Sequence, residues 1–344
     1  VEETLLKGVS PSCATRVRRE HLKAIVCNEY GSTDVLQFKE VPKPSPKDDE
    51  VLVKVHATSL NAADFETMRG TWSARFGGPL RPMYKILGSD LAGRVEDVGR
   101  NVKQFRPGDS VWGDLSFPYG FGTFAEYVSV SEEALAPKPA NMRFGEASTY
   151  PQAGIIALQT LREKGQIQPG QRVLINGAGG GMGTFAVQIA KMYGAEVTGV
   201  DSSMKFELLR SIGADHVIDY RREDYTKSGR QYDVILDVVA HRSVFDYRRA
   251  LSPKGRFIIV GGSLGTFLQV LILGALISRM GSKKLGLNVY DMNNGEDYAA
   301  LEELFETGKV VPVIDKRYPL REVPEALRYL EEGRALGKVV ITIA

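Results

Sequence analysis

The stretch VLINGAGGGMGTFAVQIAKMYGAEVTGVDSSMK, from Val173 to Lys205, constrains the fold more tightly than any other part of this 344-residue chain. Its β-branched and apolar opening, Val173 to Ile175, predicts a strand. Glycines at 177, 179, 180, 181 and 183 then predict a tight turn, and the apolar spacing from Phe185 to Tyr193 predicts a helix. Strand, glycine turn and helix in that order leave the free N–H groups of a helix start beside positions that carry no Cβ. That is what an approaching phosphate needs.

Gly180, Gly181, Met182 and Gly183 are therefore the expected backbone cradle of a dinucleotide phosphate, and the strand that follows at Glu196 to Asp201 supports the assignment. The adenosine ribose of a dinucleotide lies at the end of that second strand, where an acid prefers a free 2′-hydroxyl and a base accommodates a 2′-phosphate. Asp201 argues for NADH. Ser202, Ser203 and Lys205 argue for NADPH, because together they offer hydrogen bonds and charge to a phosphate. The residues alone leave both open.

Around this core the pattern changes twice. Residues 22–144 read as short strands and turns, as in LKAIVCNEYG, VLVKVHATSL, LAGRVEDVG and GTFAEYVSV, which predicts a compact β-rich domain. Residues 145–310 alternate strands (RVLING, EVTGVD, DHVIDY, YDVILDVV, GRFIIVGG) with helical segments, which predicts a doubly wound parallel sheet. The tail, 311–344, ends in an apolar strand, Val339 to Ile343, expected to pair back into the first domain. The α/β domain is then an insertion between two parts of a β-rich one, with residues 1–21 as an N-terminal arm.

Charge excludes little but directs attention to small ligands: 44 Lys and Arg face 42 Asp and Glu, and no basic cluster interleaved with aromatics presents a nucleic-acid surface. Cys13 and Cys27 are the whole cysteine complement, too few for a disulfide framework or a cysteine-rich zinc site, so a reducing cytoplasmic setting is expected. The apolar run from Phe267 to Ile277 is too short to span a bilayer and is followed by Arg279, Lys283 and Lys284. It is expected as a buried or interface helix, lining the substrate mouth or forming a dimer face. Four histidines (His21, His56, His216, His241) show no metal-ligand spacing.

The segments NAADFETMRG, GSDLAGRVEDVG, FRPGDSVWG, GTFAEYV, PQAGIIALQTL, VLINGAGGGMGTFAVQIAK, GADHVIDY and GRALGKVVI together resemble the zinc-independent, quinone oxidoreductase-like branch of the medium-chain dehydrogenase/reductase superfamily. The resemblance covers nearly the whole chain after residue 21. It implies a Rossmann sheet inserted into a GroES-like domain, a cleft between them, and a homodimer. Zinc-using relatives carry a cysteine at the place of Asn61 and Gly-His-Glu at the place of Gly88, Ser89 and Asp90. Without those ligands a Lewis-acid route has no metal to use, and none is expected.

The same resemblance implies a 2′-phosphate held by Lys205 and by Tyr220 fifteen positions later, with Arg334 or Lys338 as a second cation beside it. It places Val239, Gly261 and Gly262 against the nicotinamide. Asn61 is expected to donate to a carbonyl oxygen that gains charge, and Asp64 either to act beside it or to cap the following helix. Tyr84, Ser89 and Tyr119 are candidate proton donors that spacing does not separate, and water suffices as the acid in this branch. Ile156 stands where relatives carry threonine. The expected activity is NADPH-dependent hydride transfer to a quinone or an α,β-unsaturated carbonyl. The rivals are an NAD(P)-linked alcohol dehydrogenase or ketone reductase, and a cofactor-binding regulatory protein with little turnover.

Overall fold

A computed structural model describes residues 20–343, so Cys13 and nearly all of the expected arm lie outside the described residues. Six strands form a wholly parallel sheet: β8 (Arg172–Asn176), β9 (Glu196–Asp201), β10 (His216–Asp219), β11 (Tyr232–Asp237), β12 (Leu251–Ile259) and β13 (Lys284–Leu287). Their order, β10-β9-β8-β11-β12-β13, reverses direction between β8 and β11, the switch point at which doubly wound sheets bind ligands. Five of these strands stand out in the sequence as apolar runs. β13, written KLGL, does not, because it is short and its central glycine carries no side chain to mark a face.

The second sheet is GroES-like and is built from both ends of the chain. β3 (Glu50–Ser59), β4 (Asp90–Val98), β5 (Ser110–Asp114) and β7 (Ala136–Pro137) pair in sequence order, and β6 (Tyr127–Ser131) pairs with β3. β15 (Lys338–Thr342) joins β3 antiparallel, with Val340 opposite Ser59, and β14 (Ile314–Pro319) extends the sheet beyond it. A hairpin of β1 (His21–Cys27) and β2 (Leu36–Pro42) packs alongside. Cys27 is buried and free, and burial pushes its thiol up to about 11.

The α/β core reaches into the β-rich sheet at Ala92 and Trp112, and the β-rich sheet has a further core of its own. Leu174, Val234, Leu236 and Phe185 belong to the α/β unit, and Val51, Val53, Leu91 and Val111 to the β-rich one. The helix after the glycine turn runs from Gly181 to Met192 and starts four residues before the apolar periodicity does, on glycine itself. The apolar segment after β12 is half-buried: Val270 and Gly274 are covered, while Leu264, Leu268, Leu271, Ile272 and Leu276 lie 39–66% exposed along one face. Among the described residues no helix is long and apolar enough to cross a membrane.

Candidate active site and cofactor cleft

The glycine turn leaves the end of β8 with its backbone folded back on itself. Gly177 adopts φ +85°, and a Cβ there would fall 2.3 Å from a Val238 methyl. At Gly183 a Cβ would meet the Gly177 carbonyl oxygen at 2.2 Å, so only glycine lets the helix press against the turn. A Cβ at Gly180 meets nothing closer than 3.5 Å, which leaves that point of the turn open to an approaching group. Gly180 is the N-cap, and the N–H groups of Gly181, Met182 and Gly183 occupy the first turn, where no intrahelical carbonyl reaches them. This donor set and this bare surface fit a dinucleotide pyrophosphate.

At the end of β9, Asp201 holds the turn in shape. Its Oδ2 accepts from the Gly179 N–H at 2.8 Å and its Oδ1 from the Ser202 N–H at 2.8 Å. Lys205 lies across the Gly179 backbone with its ammonium 3.5 Å from Asp201, both side chains at most 10% exposed. Asp201 and Asp219 are register partners on β9 and β10, and the Arg221 N–H, seconded by hydrogen bonds from Ser203, draws the Asp219 carboxyl below its usual range. Tyr220 follows, half-exposed, and Arg221 stacks over its ring at 5.5 Å with Nε 3.3 Å from the phenol oxygen. Arg221 is a cation that sequence reasoning passed over, since one arginine beside a tyrosine carries no spacing signal.

On the other side of β8, Val239, Gly261 and Gly262 lie at the ends of β11 and β12. Ala240 and Gly262 form a bridge, and Gly262 has φ +145°. A Cβ at Gly261 would fall 2.7 Å from the Val238 carbonyl oxygen. Val239 is 51% exposed at this edge, with its N–H held by the buried Asp237 carboxylate.

Lys338 requires a correction. Its ammonium is directed away from the Asp201 end of the cleft into a sealed cluster, 2.7 Å from Asn61 Oδ1, 3.1 Å from the Leu60 carbonyl and 3.2 Å from Asp90 Oδ2. The lysine is 1% exposed, and its stem passes beneath Gly181, where a Cβ would meet Cδ at 2.6 Å. Gly337, just before it, donates its N–H to the Gly179 carbonyl and bridges to Gly180. The C-terminal strand thus stitches the glycine turn to the β-rich domain. Arg334 instead pairs with Glu332 and stacks on Tyr329.

Asn61 is corrected as well. Its Nδ2 donates to Ser89 Oγ at 3.2 Å and to Asp90 Oδ2 at 2.8 Å, while its Oδ1 takes the Lys338 ammonium. Both amide hydrogens are spent inside the protein, so none is left for a substrate oxygen. Asp90 collects further bonds from Ser59 Oγ at 2.5 Å and the Gln152 N–H at 3.0 Å. Ser89 is fully buried as Asn61's acceptor.

Asp64 is not the N-cap of its helix; Asn61 is, and the helix runs Ala62–Arg69. Asp64 sits at the third helical position and accepts the Asn61 N–H at 2.8 Å, while its other oxygen is buried without a partner. Burial raises the Asp64 carboxyl to about 7. Tyr84 rests against Phe121 and Tyr119 packs on the β-rich core. The cluster was legible only as charges set in apolar strands, Asp90 in GSDLAG and Lys338 in GKVVI. Among the described residues no group of three or more His, Cys, Asp or Glu converges as a metal would require.

Residues 47–140 match the alcohol dehydrogenase GroES-like domain, and residues 212–341 match a model described as zinc-binding dehydrogenase. The chain is 37% identical over 330 residues to 2-methylene-furan-3-one reductase of Solanum lycopersicum, covering 93% of this chain and 79% of that one. It is 33% identical to the chloroplastic NADPH-dependent alkenal/one oxidoreductase of Arabidopsis thaliana, over 94% and 80% of the two chains. The solved quinone oxidoreductase of Coxiella burnetii superposes with a TM-score of 0.85 at 28% identity, over 94% of this chain and all of that one. With a GroES-like sheet completed by its own C-terminus and a glycine turn at the switch point of a six-stranded parallel sheet, the chain belongs to the quinone oxidoreductase-like branch of the medium-chain dehydrogenase/reductase superfamily.

Proposed function

We propose that the protein is an NADPH-dependent oxidoreductase that transfers hydride to a quinone or an α,β-unsaturated carbonyl. The observation that carries this reading is the glycine turn at the switch point, with Lys205 and Arg221 at the neighbouring strand ends. The match to an alkenal/one oxidoreductase of 33% identity supports the substrate class. The reduced nicotinamide supplies the hydride when bound. The protein's part is to bind, orient and keep water out.

In this reading Gly180, Gly181, Met182 and Gly183 hold the pyrophosphate. Ser202, Lys205, Tyr220 and Arg221 form the polar rim of the adenosine end, and Val239, Gly261 and Gly262 border the nicotinamide. Asp201 has both carboxylate oxygens engaged by backbone N–H groups, which favours its role as shaper of the turn over that of an NADH-selecting acid. Asn61 and Asp64 act by position: Asn61 ties the substrate-side loop to Lys338 and Asp90, and Asp64 anchors that loop's backbone.

The test is titration with NADPH and NADH, followed by a panel of quinones and enones. Lys205→Ala should weaken NADPH about 10- to 100-fold and leave NADH nearly untouched, since a charge-assisted phosphate contact contributes about 1.5–3 kcal/mol. A preference for NADH in the unmodified protein would overturn the cofactor reading. A homodimer is part of the proposal, supported by the open edge of β13 and the exposed leucines that follow β12, and sedimentation checks it. So is a cytoplasmic setting, supported by the free buried Cys27; a relative named for the chloroplast is the competing precedent, and localisation of a tagged full chain decides.

A further inference from the structure

Each domain sends one aromatic ring to the other, just beyond the segments that the reading above places at the substrate and the nicotinamide. In the β-rich domain the helix capped by Asn61 ends at Gly70, and a short second helix, Trp72–Gly77, follows. In the α/β domain the helix Leu264–Gln269 starts two residues after Gly262. Trp72 on the first and Phe267 on the second meet with ring centroids 6.2 Å apart, their planes tilted by 60°. Hydrogen bonds elsewhere on the boundary fix its spacing. The Tyr290 hydroxyl, beyond β13, donates to Asp114 Oδ2 at 2.8 Å, and Asn293 accepts the Asp114 N–H and donates to the Asp114 carbonyl, both at 2.9 Å.

Rings of this size are ordinarily covered, and here they stand open. Trp72 is 42% exposed, and Phe76, packed edge-on against it at 5.8 Å, is 83% exposed. Met83, also exposed, lies against the end of the same helix, 3.1 Å from where a Cβ on Gly77 would stand. Loose packing is not the cause. Arg75 donates to the Gly70 and Pro79 carbonyls at 2.8 and 2.9 Å and stacks on Tyr30 at 4.7 Å, while the Tyr30 hydroxyl donates to the Gly78 carbonyl at 2.6 Å. Phe267 in turn packs on the α/β core that contains Val270. A braced apolar surface is preorganised for a ligand, since little freedom is lost when it is covered. Residues 67–89 and 247–290 hold no Asp or Glu, against 42 in the chain, so an apolar group laid between them desolvates no carboxylate of either segment.

Resting on the reading above, we propose that Trp72 and Phe267 seat an apolar chain of the substrate, so that the protein selects enones and quinones carrying a long apolar tail over their short-chain counterparts. The occupant follows from continuity. The two rings stand on the helices that lead directly out of the Asn61 loop and out of Gly262, so a tail attached to a carbonyl in that space leaves between them. Phe76 and Met83 extend the same surface outward for a longer chain. Selection of this kind is a matter of area buried, and it acts on binding of the tail while hydride transfer at the other end of the substrate is unchanged.

The experiment follows a homologous series of straight-chain vinyl ketones in the holoenzyme. kcat/KM should rise about twofold for each added methylene, below the about fourfold of complete burial because the face is open, and the rise should lie in KM. Trp72→Ala should cut the long-to-short ratio of kcat/KM about tenfold, Trp72→Phe should restore most of it, and Phe267→Ala should cut it by a smaller factor. Phe38→Ala, which removes an exposed ring on β2, should leave the ratio as it was. A second readout needs no turnover. Of the two tryptophans Trp112 is buried, so a long saturated ketone added with NADP+ should shift the solvent-exposed emission to the blue, and Trp72→Phe should remove that shift. A flat series overturns the proposal, as does a slope that survives both alanine variants. So does a slope lost together with dimer mass in sedimentation, which would put a second copy on this face. Absence of turnover with every enone and quinone defeats the functional reading instead, and the emission shift then still decides whether the face takes an apolar chain.

Discussion

The two ends of the proposed cleft are made of different materials. The cofactor end is backbone: a turn whose glycines leave room for phosphate, shaped by Asp201 through two N–H bonds and ringed by half-exposed side chains. The substrate end is side chain: Asn61, Asp90, Lys338, Ser59 and Ser89 form a sealed network in which Asn61 and Asp90 carry most of the bonds. Backbone surfaces tolerate change at their rim but not at their glycines. Buried networks tolerate change nowhere, because any deletion strands a partner.

The largest effect should therefore come from the buried end. Lys338→Met removes the only ammonium bonded to Asp90 among the described residues, and because the Asp90 side chain is fully buried, breaking such a pair from one side costs about 3–5 kcal/mol. Urea unfolding should show that loss, and adding Asp90→Asn should recover part of it, since the stranded charge is then gone. The NADPH-to-NADH preference of the folded Lys338→Met protein should equal that of the parent. If the preference collapses instead, the lysine reaches the 2′-phosphate and the contrast between the two ends breaks down.

Asp64 gives a smaller effect with a definite pH signature. Its carboxyl stands at about 7 in the folded protein against about 3.9 in an unfolded chain, so between those values the native state binds the extra proton. The stabilising contribution is full below pH 4 and is lost as pH rises towards 7, with a slope that approaches about 1.4 kcal/mol per unit within the window. Asp64→Asn keeps an acceptor for the Asn61 N–H and carries no charge. The variant should lose that slope and be the more stable protein at pH 8. An identical pH profile for the two proteins would show that Asp64 is ionised and solvated, and that this end is not sealed.

The same division explains what could be read from the sequence. A glycine turn between a strand and a helix is local, so Gly177 to Gly183 and five of the six strands around them follow from spacing and from the family motifs, while the short β13 does not. Even there the helix starts on Gly181 rather than at the apolar Phe185, because the tight packing of Gly183 on Gly177 extends it backwards. The substrate end joins residues 59–64, 89–90, 114, 290 and 338, segments that only the fold brings together. No periodicity encodes that Lys338 turns towards Asn61, or that Tyr290 crosses to Asp114. Assigning Asn61 as a donor failed for this reason: its residue type fits the role, but its hydrogens are already committed.

The smallest predicted effect tests the backbone end at its rim. Arg221 is exposed and held by the Tyr220 ring and hydroxyl, and its charge reaches both Asp219 and Asp201. An exposed cation contributes little to a neighbour, and salt weakens it further. Arg221→Ala should therefore raise the Kd for NADPH less than about fivefold at low ionic strength, with the difference fading at high salt and with no change for NADH. Lys205, at the same strand ends but buried against Gly179, should retain much of its effect in salt, because a partly buried pair is screened less. Titrations of both variants at two salt concentrations separate the cases. Equal salt sensitivity would mean that bound NADPH contacts the two cations from the same solvated surface, and that the cofactor end has no buried component.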